Sequence, residues 1–585
     1  MDIYYSSEKN VQILIALLKK HNIKRIIASP GATNICFVAS AQNDPYFEIY
    51  SSIDERSAAY IACGMAAESQ EPVVLSCTAA TASRNYIPGL TEAFYRKLPI
   101  LAVTSTRHIS QIGHNIDQVV DRTNLLNDIA KLSVHLPIPH NEETEWECEI
   151  KINKALLELQ RHGGGPVHIN LTTSYDTDFS VRELPQVRTI KRISYTDDMP
   201  KLKTGKTGIF VGAHTKWSDK LIHEVELFCE NYNAVVLCDS TSNYKGKYGI
   251  YFNLLIHQKK YHAPCLTIDT MIHIGDISAS SIFNVKDIWR VNPDGEVRDT
   301  FRKLKYVFEM EEIIFFEKMN CENKNKTKNT DFYDEWIKES NNCQVKLLEK
   351  ENELPYSNVW MTLQMHDKLP LNSVLHLGIL NSLRSWNFFK VNDTILEYSN
   401  TGGFGIDGGI SSLIGASLIN KEKIYFGIVG DLAFFYDLNA IGNRHIGNNI
   451  RIMIINNGLG VEFKTNMNLA QRAGIGEATD KYIAAAGHFG KKSPYLVKHY
   501  SEDLGFEYLS ASNKEEFLIN IKKFLSFELF EKPIIFETFT ESRNEVDAIE
   551  MIQNLEVSMT SMAKDIAKNV IGNKGVETLK KVLKR

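Results

Sequence analysis

The sequence predicts an α/β protein of three doubly wound parallel-sheet domains followed by a helical tail. Two observations predict it. Short apolar runs alternate with amphipathic helical stretches along most of the 585 residues, the pattern of βα units laid around parallel sheets. Polar stretches at 183–206 and 319–330 interrupt that alternation, and a chain of this length needs more than one core.

The first domain is expected over 1–183. Residues 10–20 carry helical apolar spacing, and 25–28 form an apolar run stopped by Ser29-Pro30-Gly31. Residues 58–68 and 86–95 read as helices, and 73–76, 100–104 and 166–171 as buried strands. The second domain, 184–345, opens on a charged linker and carries strands from 208 and at 234–238, 265–274 and 306–308. The third, 346–545, has strands at 374–377, 394–398, 424–429, 451–455 and 533–537. Residues 546–585 read as a basic helical tail broken at Gly572-Asn573-Lys574-Gly575.

Composition narrows the function classes. The chain is 43% apolar and 23% charged with a net charge of −5, so it is globular and has no basic surplus for nucleic acid. No apolar run is long enough to span a membrane, and the start has no basic region leading into an apolar core. The nine cysteines are scattered with no CxxC pair, which argues for reduced thiols rather than disulfides or a zinc site. A cytoplasmic enzyme with neither nucleic-acid nor membrane partners is expected.

The strongest constellation lies in the third domain. One strand ends at Gly430-Asp431, a helical stretch follows, and the next strand ends at Asn456-Asn457. Both polar ends then sit at the carboxyl edge of a parallel sheet, where open α/β folds bind ligands. An Asp and an Asn on adjacent strand ends supply hard oxygen ligands for Mg²⁺ or Ca²⁺, and such an ion suits a diphosphate. Each motif alone is an ordinary turn or helix cap; their spacing favours the ligand reading. Gly403-Phe404-Gly405-Ile406-Asp407-Gly408 also fits GxGxxG, the mark of a nicotinamide-dependent oxidoreductase. Its distance to Asp431 is too long for that fingerprint, and it leaves Asn456-Asn457 unexplained.

GDLAFFYDLNA followed by IMIINNG resembles the thiamine diphosphate (ThDP) motif. The GDL variant with YDLNA is similar to the menaquinone-pathway branch, the 2-succinyl-5-enolpyruvyl-6-hydroxy-3-cyclohexene-1-carboxylate (SEPHCHC) synthases. SPG at 29–31, DERSAAY at 54–60, CTAATASRNY at 77–86, GPVHINL at 165–171 and NTGGFGIDG at 400–408 recur in that family's order. The resemblance implies a pyrimidine-binding first domain, a central domain and a diphosphate-binding third domain. It assigns Glu55 to N1′ of ThDP held by another subunit, implying a homodimer or homotetramer. It gives Asp431, Asn457 and the Leu459 carbonyl to Mg²⁺. It places Thr78, Gly405, Ile406, Gly430, Leu432 and Ala433 at the cofactor, with Ile406 as the wedge that bends it. Gln118 and Glu462 are further catalytic candidates, Glu462 as a proton donor or else a solvated helix residue.

The departures concern the substrate. The family's SPGSRS reads Ser29-Pro30-Gly31-Ala32-Thr33-Asn34 here, and the Arg of its NRGASGIDG is Thr401. In the stretch 381–386, Arg384 stands two positions early and Trp386 takes the Arg position. A planar guanidinium grips a carboxylate at two points, and Thr does not replace it. These losses argue against isochorismate as acceptor. The expected function is decarboxylation of a 2-oxo acid and transfer of the acyl carbanion to an acceptor. Decarboxylation to an aldehyde, a divergent SEPHCHC synthase and a non-catalytic ThDP-binding protein are the alternatives.

Overall fold

The computed structural model describes residues 4–122, 125–279, 283–322, 328–466, 468–488 and 492–557. Most of the predicted tail, 558–585, lies outside the described residues. The chain forms two compact units, one of residues 1–194 with 294–309, the other of residues 195–293 with 310–585.

In the first unit the strands are β1 (Arg25–Ala28), β2 (Glu48–Ser51), β3 (Val73–Cys77), β4 (Ile100–Thr106), β5 (Ser133–Leu136) and β6 (Val167–Thr172). They form one sheet in the order β2-β1-β3-β4-β6-β5, parallel throughout. β3, β4 and β6 are buried along their whole length, as expected where helices cover both faces of the sheet. One face packs on helices Lys9–Lys20 and Glu142–Glu158, the other on Glu55–Ser69 and Ile87–Tyr95.

Helix Glu55–Ser69 begins where Asp54 accepts the Ser57 N–H at 2.8 Å and ends at Gln70, whose φ is 56°. Its buried stripe is made of Ala58, Ala59, Ala62, Cys63 and Ala66. Small residues permit a close neighbour: a Cβ on Gly89 would lie 2.4 Å from the Ala59 Cβ.

The next seven strands are β7 (Lys191–Ser194), β8 (Thr207–Val211), β9 (Ala234–Cys238), β10 (Gly249–Tyr251), β11 (Thr267–Ile274), β12 (Asn284–Val291) and β13 (Leu304–Glu309). β7 lies inside the stretch read as a linker, and it pairs in parallel with β13. Both strands belong to the first unit. Ion pairs hold the returning segment there, Arg161 to Glu296 at 2.8 Å and Arg188 to Asp299 at 2.7 Å.

The second unit holds the parallel order β10-β9-β8-β11-β12 and a further sheet. That sheet contains β14 (Val374–Leu377), β15 (Leu396–Tyr398), β16 (Tyr425–Gly430), β17 (Ile450–Asn456), β18 (Glu507–Ala511) and β19 (Ile534–Phe539), ordered β15-β14-β16-β17-β19-β18. Buried Glu397 joins these two sheets by accepting from Lys245 Nζ at 3.1 Å and Tyr251 Oη at 2.9 Å. No described helix is long and apolar enough to cross a membrane.

Candidate functional site

The central strands β16 and β17 run side by side with Gly430 opposite Ile455. Asp431 therefore leaves the sheet level with Asn456, at the end of the neighbouring strand. Asp431 opens the short helix Asp431–Tyr436 and is only 4% exposed. Its Oδ2 accepts the Gly458 N–H at 2.9 Å. Burial pushes its carboxyl up to about 7, against the pull of backbone N–H groups at Leu432 and Gly458.

The two asparagines divide the work. Asn456 turns inward and donates to Glu537 Oε1 at 2.7 Å, while Tyr508 donates to the other Glu537 oxygen at 2.8 Å. It thereby fixes the turn. Asn457 is half-buried, its Oδ1 accepting the Leu459 N–H at 3.3 Å. Gly458 permits the reversal with φ at 75°. The Asp431 carboxylate, the Asn457 carboxamide and the Leu459 carbonyl are hard-oxygen groups at the two strand ends, of the chemistry a divalent cation of the Mg²⁺ type takes. Among the described residues no group of three or more His, Cys, Asp or Glu side chains could hold a metal ion. The candidate set has one carboxylate alone.

Beside it lies the glycine-rich loop after β15. Thr401 is buried, Gly402 and Gly403 face open space, and Gly405 and Ile406 are half-buried. Gly408, with φ at 80°, turns the loop into helix Gly409–Ser417. Asp437 anchors that helix, accepting from Ser411 N at 2.6 Å and Ser411 Oγ at 2.7 Å. Sequence reasoning gave Asp437 no role. Its place in YDLNA was the available signal, but the partner lies 26 residues upstream.

In the first unit, Glu55 is the first residue of helix Glu55–Ser69 and accepts from Asn85 Nδ2 at 3.3 Å. The small-residue turn after β3 is held against the SPG turn, where the Thr33 and Thr78 hydroxyls meet at 2.7 Å. Gly31 is obligatory there, since a Cβ would sit 2.2 Å from the Thr78 Cβ. Ala80, in the same turn, holds φ 60° and ψ −135°, a strained conformation of the kind found at ligand clamps. A cavity of about 480 Å³ borders the SPG turn, lined by Ser29, Gly31, Asn34, Ile35 and Tyr50 among others and by no charged side chain.

Two catalytic candidates remain. Gln118 is exposed on a loop with φ at 59°. Glu462 is not a solvated residue: it is half-buried and pairs with Arg384 at 2.8 Å. The GxGxxG stretch lies in the loop between β15 and helix Gly409–Ser417.

Comparison with known proteins follows these motifs. The family model described as "Thiamine pyrophosphate enzyme, N-terminal TPP binding domain" matches residues 9–125. The SEPHCHC synthase of Bacteroides fragilis is 32% identical over 563 residues, covering 92% of this chain and 98% of its own. That of Bacteroides thetaiotaomicron is 31% identical over 568 residues, covering 92% and 97%. A solved Rhodococcus jostii RHA1 thiamine diphosphate-dependent 4-hydroxybenzoylformate decarboxylase covers 91% of this chain and 99% of its own at 14% identity. Its TM-score of 0.39 carries no weight. The parallel sheets and the paired strand ends thus belong to a ThDP-dependent enzyme of the lyase or transferase type. Within that class, the chain belongs to the family of the 2-succinyl-5-enolpyruvyl-6-hydroxy-3-cyclohexene-1-carboxylate synthases.

Proposed function

We propose that the enzyme decarboxylates a 2-oxo acid and transfers the resulting acyl unit to an acceptor, with Mg²⁺ anchoring the cofactor diphosphate. The observation that carries this reading is the Asp431 carboxylate, buried at the carboxyl end of β16 and held, among the described residues, by backbone N–H groups. A buried carboxylate with no cationic partner is costly unless an ion compensates it.

When bound, ThDP supplies the electron sink that lets CO₂ leave the 2-oxo acid. The protein's part is placement and proton transfer. Asp431, Asn457 and the Leu459 carbonyl hold the ion; Gly430, Leu432, Ala433 and Gly405 leave room for the diphosphate; Thr78 and Ile406 border the cofactor rings. When the cofactor is bound, the Glu55 carboxyl would hold a proton at N1′ of its pyrimidine, the ring that supplies the base for the reaction. Gln118 faces the substrates.

Glu55 serves a cofactor held by a second copy of the chain, so the active form is a homodimer or homotetramer. Near Glu55 several apolar side chains are open to solvent beside the exposed charges of Asp54 and Arg56: Ile53 is 84% exposed, and Tyr50, Tyr60 and Ile61 are also open. Exposed large apolar side chains of this number favour an interface between copies. The acceptor is not isochorismate on this reading. Thr401 and the Ala32-Thr33-Asn34 turn lack guanidinium groups, and the cavity at that turn has no charged lining.

The test is CO₂ release from a panel of 2-oxo acids with ThDP and Mg²⁺, with and without a panel of aldehyde and enone acceptors. Turnover that requires an acceptor supports ligation. Aldehyde release at the same rate without one replaces ligation with simple decarboxylation.

A further inference from the structure

Within the first unit a small cavity of about 20 Å³ lies between β4, β6 and helix Ile87–Tyr95. Its lining includes Arg84, Tyr86, Leu90, Thr104, Arg122 and His168, and no carboxylate among the described residues. Arg122 is only 2% exposed. Its Nη2 donates to the Ser105 carbonyl at 3.2 Å and to Asn170 Oδ1 at 2.9 Å, both neutral acceptors. Nε and Nη1 are buried and have no hydrogen-bond partner among the described residues. The guanidinium therefore carries unmade hydrogen bonds and an uncompensated charge, and each is costly in a buried place.

The neighbouring groups do not supply the missing charge. Burial first, and Arg84 after it, lower the Arg122 pKa to about 10, so the guanidinium stays charged at neutral pH. Cys77 is close enough to favour that charge, but burial pushes its own thiol up to about 12 and keeps it neutral. His168 is neutral as well, since burial lowers it to about 3. Both of its ring nitrogens are engaged, Nε2 with Thr104 Oγ1 at 2.7 Å and Nδ1 with Ser133 Oγ at 2.8 Å. Arg84 adds a second positive charge to the lining, its Nη2 donating to the Asp121 carbonyl at 2.8 Å. Two arginines without an acid make the cavity positive.

We infer that this cavity is a binding site for one monatomic anion of the chloride type, held by the Arg122 guanidinium. Size sets the class: room for about one water-sized body admits a halide and excludes carboxylates, phosphate and sulfate. A water molecule accepts hydrogen bonds there but leaves the charge uncompensated. The ion has a structural consequence. Arg122 lies on the connection that follows β4, and its Nη2 already reaches β4 and β6. An ion on the rest of its guanidinium fastens that connection against helix Ile87–Tyr95. The site is independent of the proposed decarboxylation and of the groups around Asp431.

The test pairs a crystal of the full chain grown in sodium bromide with urea unfolding of the wild type and Arg122→Met. Bromine is located by its anomalous scattering and is expected within hydrogen-bond distance of Arg122 Nε or Nη1. Urea midpoints are compared in chloride and in gluconate at equal ionic strength, gluconate being too large for the cavity. The wild-type midpoint is expected to rise with chloride and to level off at saturation, as for any ligand that binds the folded state alone. Arg122→Met is expected to lose that rise. The inference is overturned if the cavity holds no bromide or a water alone, or if the two proteins respond to chloride equally. Should Arg122→Met fail to fold, the bromide position decides alone.

Discussion

Asp431 Oδ2 accepts the backbone N–H of Gly458 at 2.9 Å, tying the end of one strand to the turn that carries Asn457. The carboxylate of the first motif is thereby bonded to the backbone of the second. The arrangement depends on parallel register, since Gly430 faces Ile455, and on the inward bond from Asn456 to Glu537.

Removing the carboxylate should remove the ion. Asp431→Asn is expected to weaken ThDP binding in the presence of Mg²⁺ by at least about tenfold. EDTA treatment of the wild type should have a similar effect. Calorimetry of both reads this directly; equal ThDP affinity in all samples contradicts the assignment.

The SPG turn has no space for a side chain. Gly31→Ala places a Cβ 2.2 Å from the Thr78 Cβ, and overpacking of this kind costs about 1–3 kcal/mol. The urea midpoint of the variant should fall accordingly. A midpoint equal to wild type would show that the two turns are not held in contact.

Buried Glu545 gives a pH signature. Burial raises its carboxyl from 4.5 to about 7, while it accepts from the Asn358 N–H and the Asn381 amide. The folded state therefore holds this proton between pH 4.5 and 7 whereas the unfolded state releases it. Stability from this group is fully present below pH 4.5 and is lost as pH rises through 7. Over that window the loss is of order 3 kcal/mol. Glu545→Gln should flatten the decline in urea stability between pH 5 and pH 8, measured without divalent cations. An identical slope in both proteins would refute this.

The exposed apolar side chains near Glu55 should form an interface. Ile53→Glu introduces a charge at a residue that is 84% exposed, so it spares the monomer fold while opposing association. Sedimentation should show the wild type as a dimer or tetramer and the variant as a monomer without turnover. A variant that remains oligomeric and active argues against this surface.

Much of this was legible in the sequence because the signals are local. Strands β3, β4, β9, β14 and β17 are rich in apolar residues, and they lie close to where the apolar pattern puts them. The edge strands β2, β5, β10 and β18 were not legible. They are short, and β2 is largely exposed, so neither length nor apolar pattern marks them. The return of 294–309 to the first unit depends on ion pairs such as Arg161–Glu296, over a hundred residues apart in sequence. At the site, GD and NN could be read by spacing. The Arg384–Glu462 pair could not, because two ordinary charged residues on different elements carry no pattern until the fold joins them.

The central claim is that Glu55 and the Asp431–Asn457 pair together run a ThDP reaction. The direct measurement is CO₂ release from a panel of 2-oxo acids with ThDP and Mg²⁺, comparing the wild type with Glu55→Gln. The account predicts turnover of at least one acid by the wild type and a loss of about 10²–10⁴-fold in the variant, with the variant still folded. Equal turnover in the two proteins, or a wild type that does not bind ThDP, would contradict it.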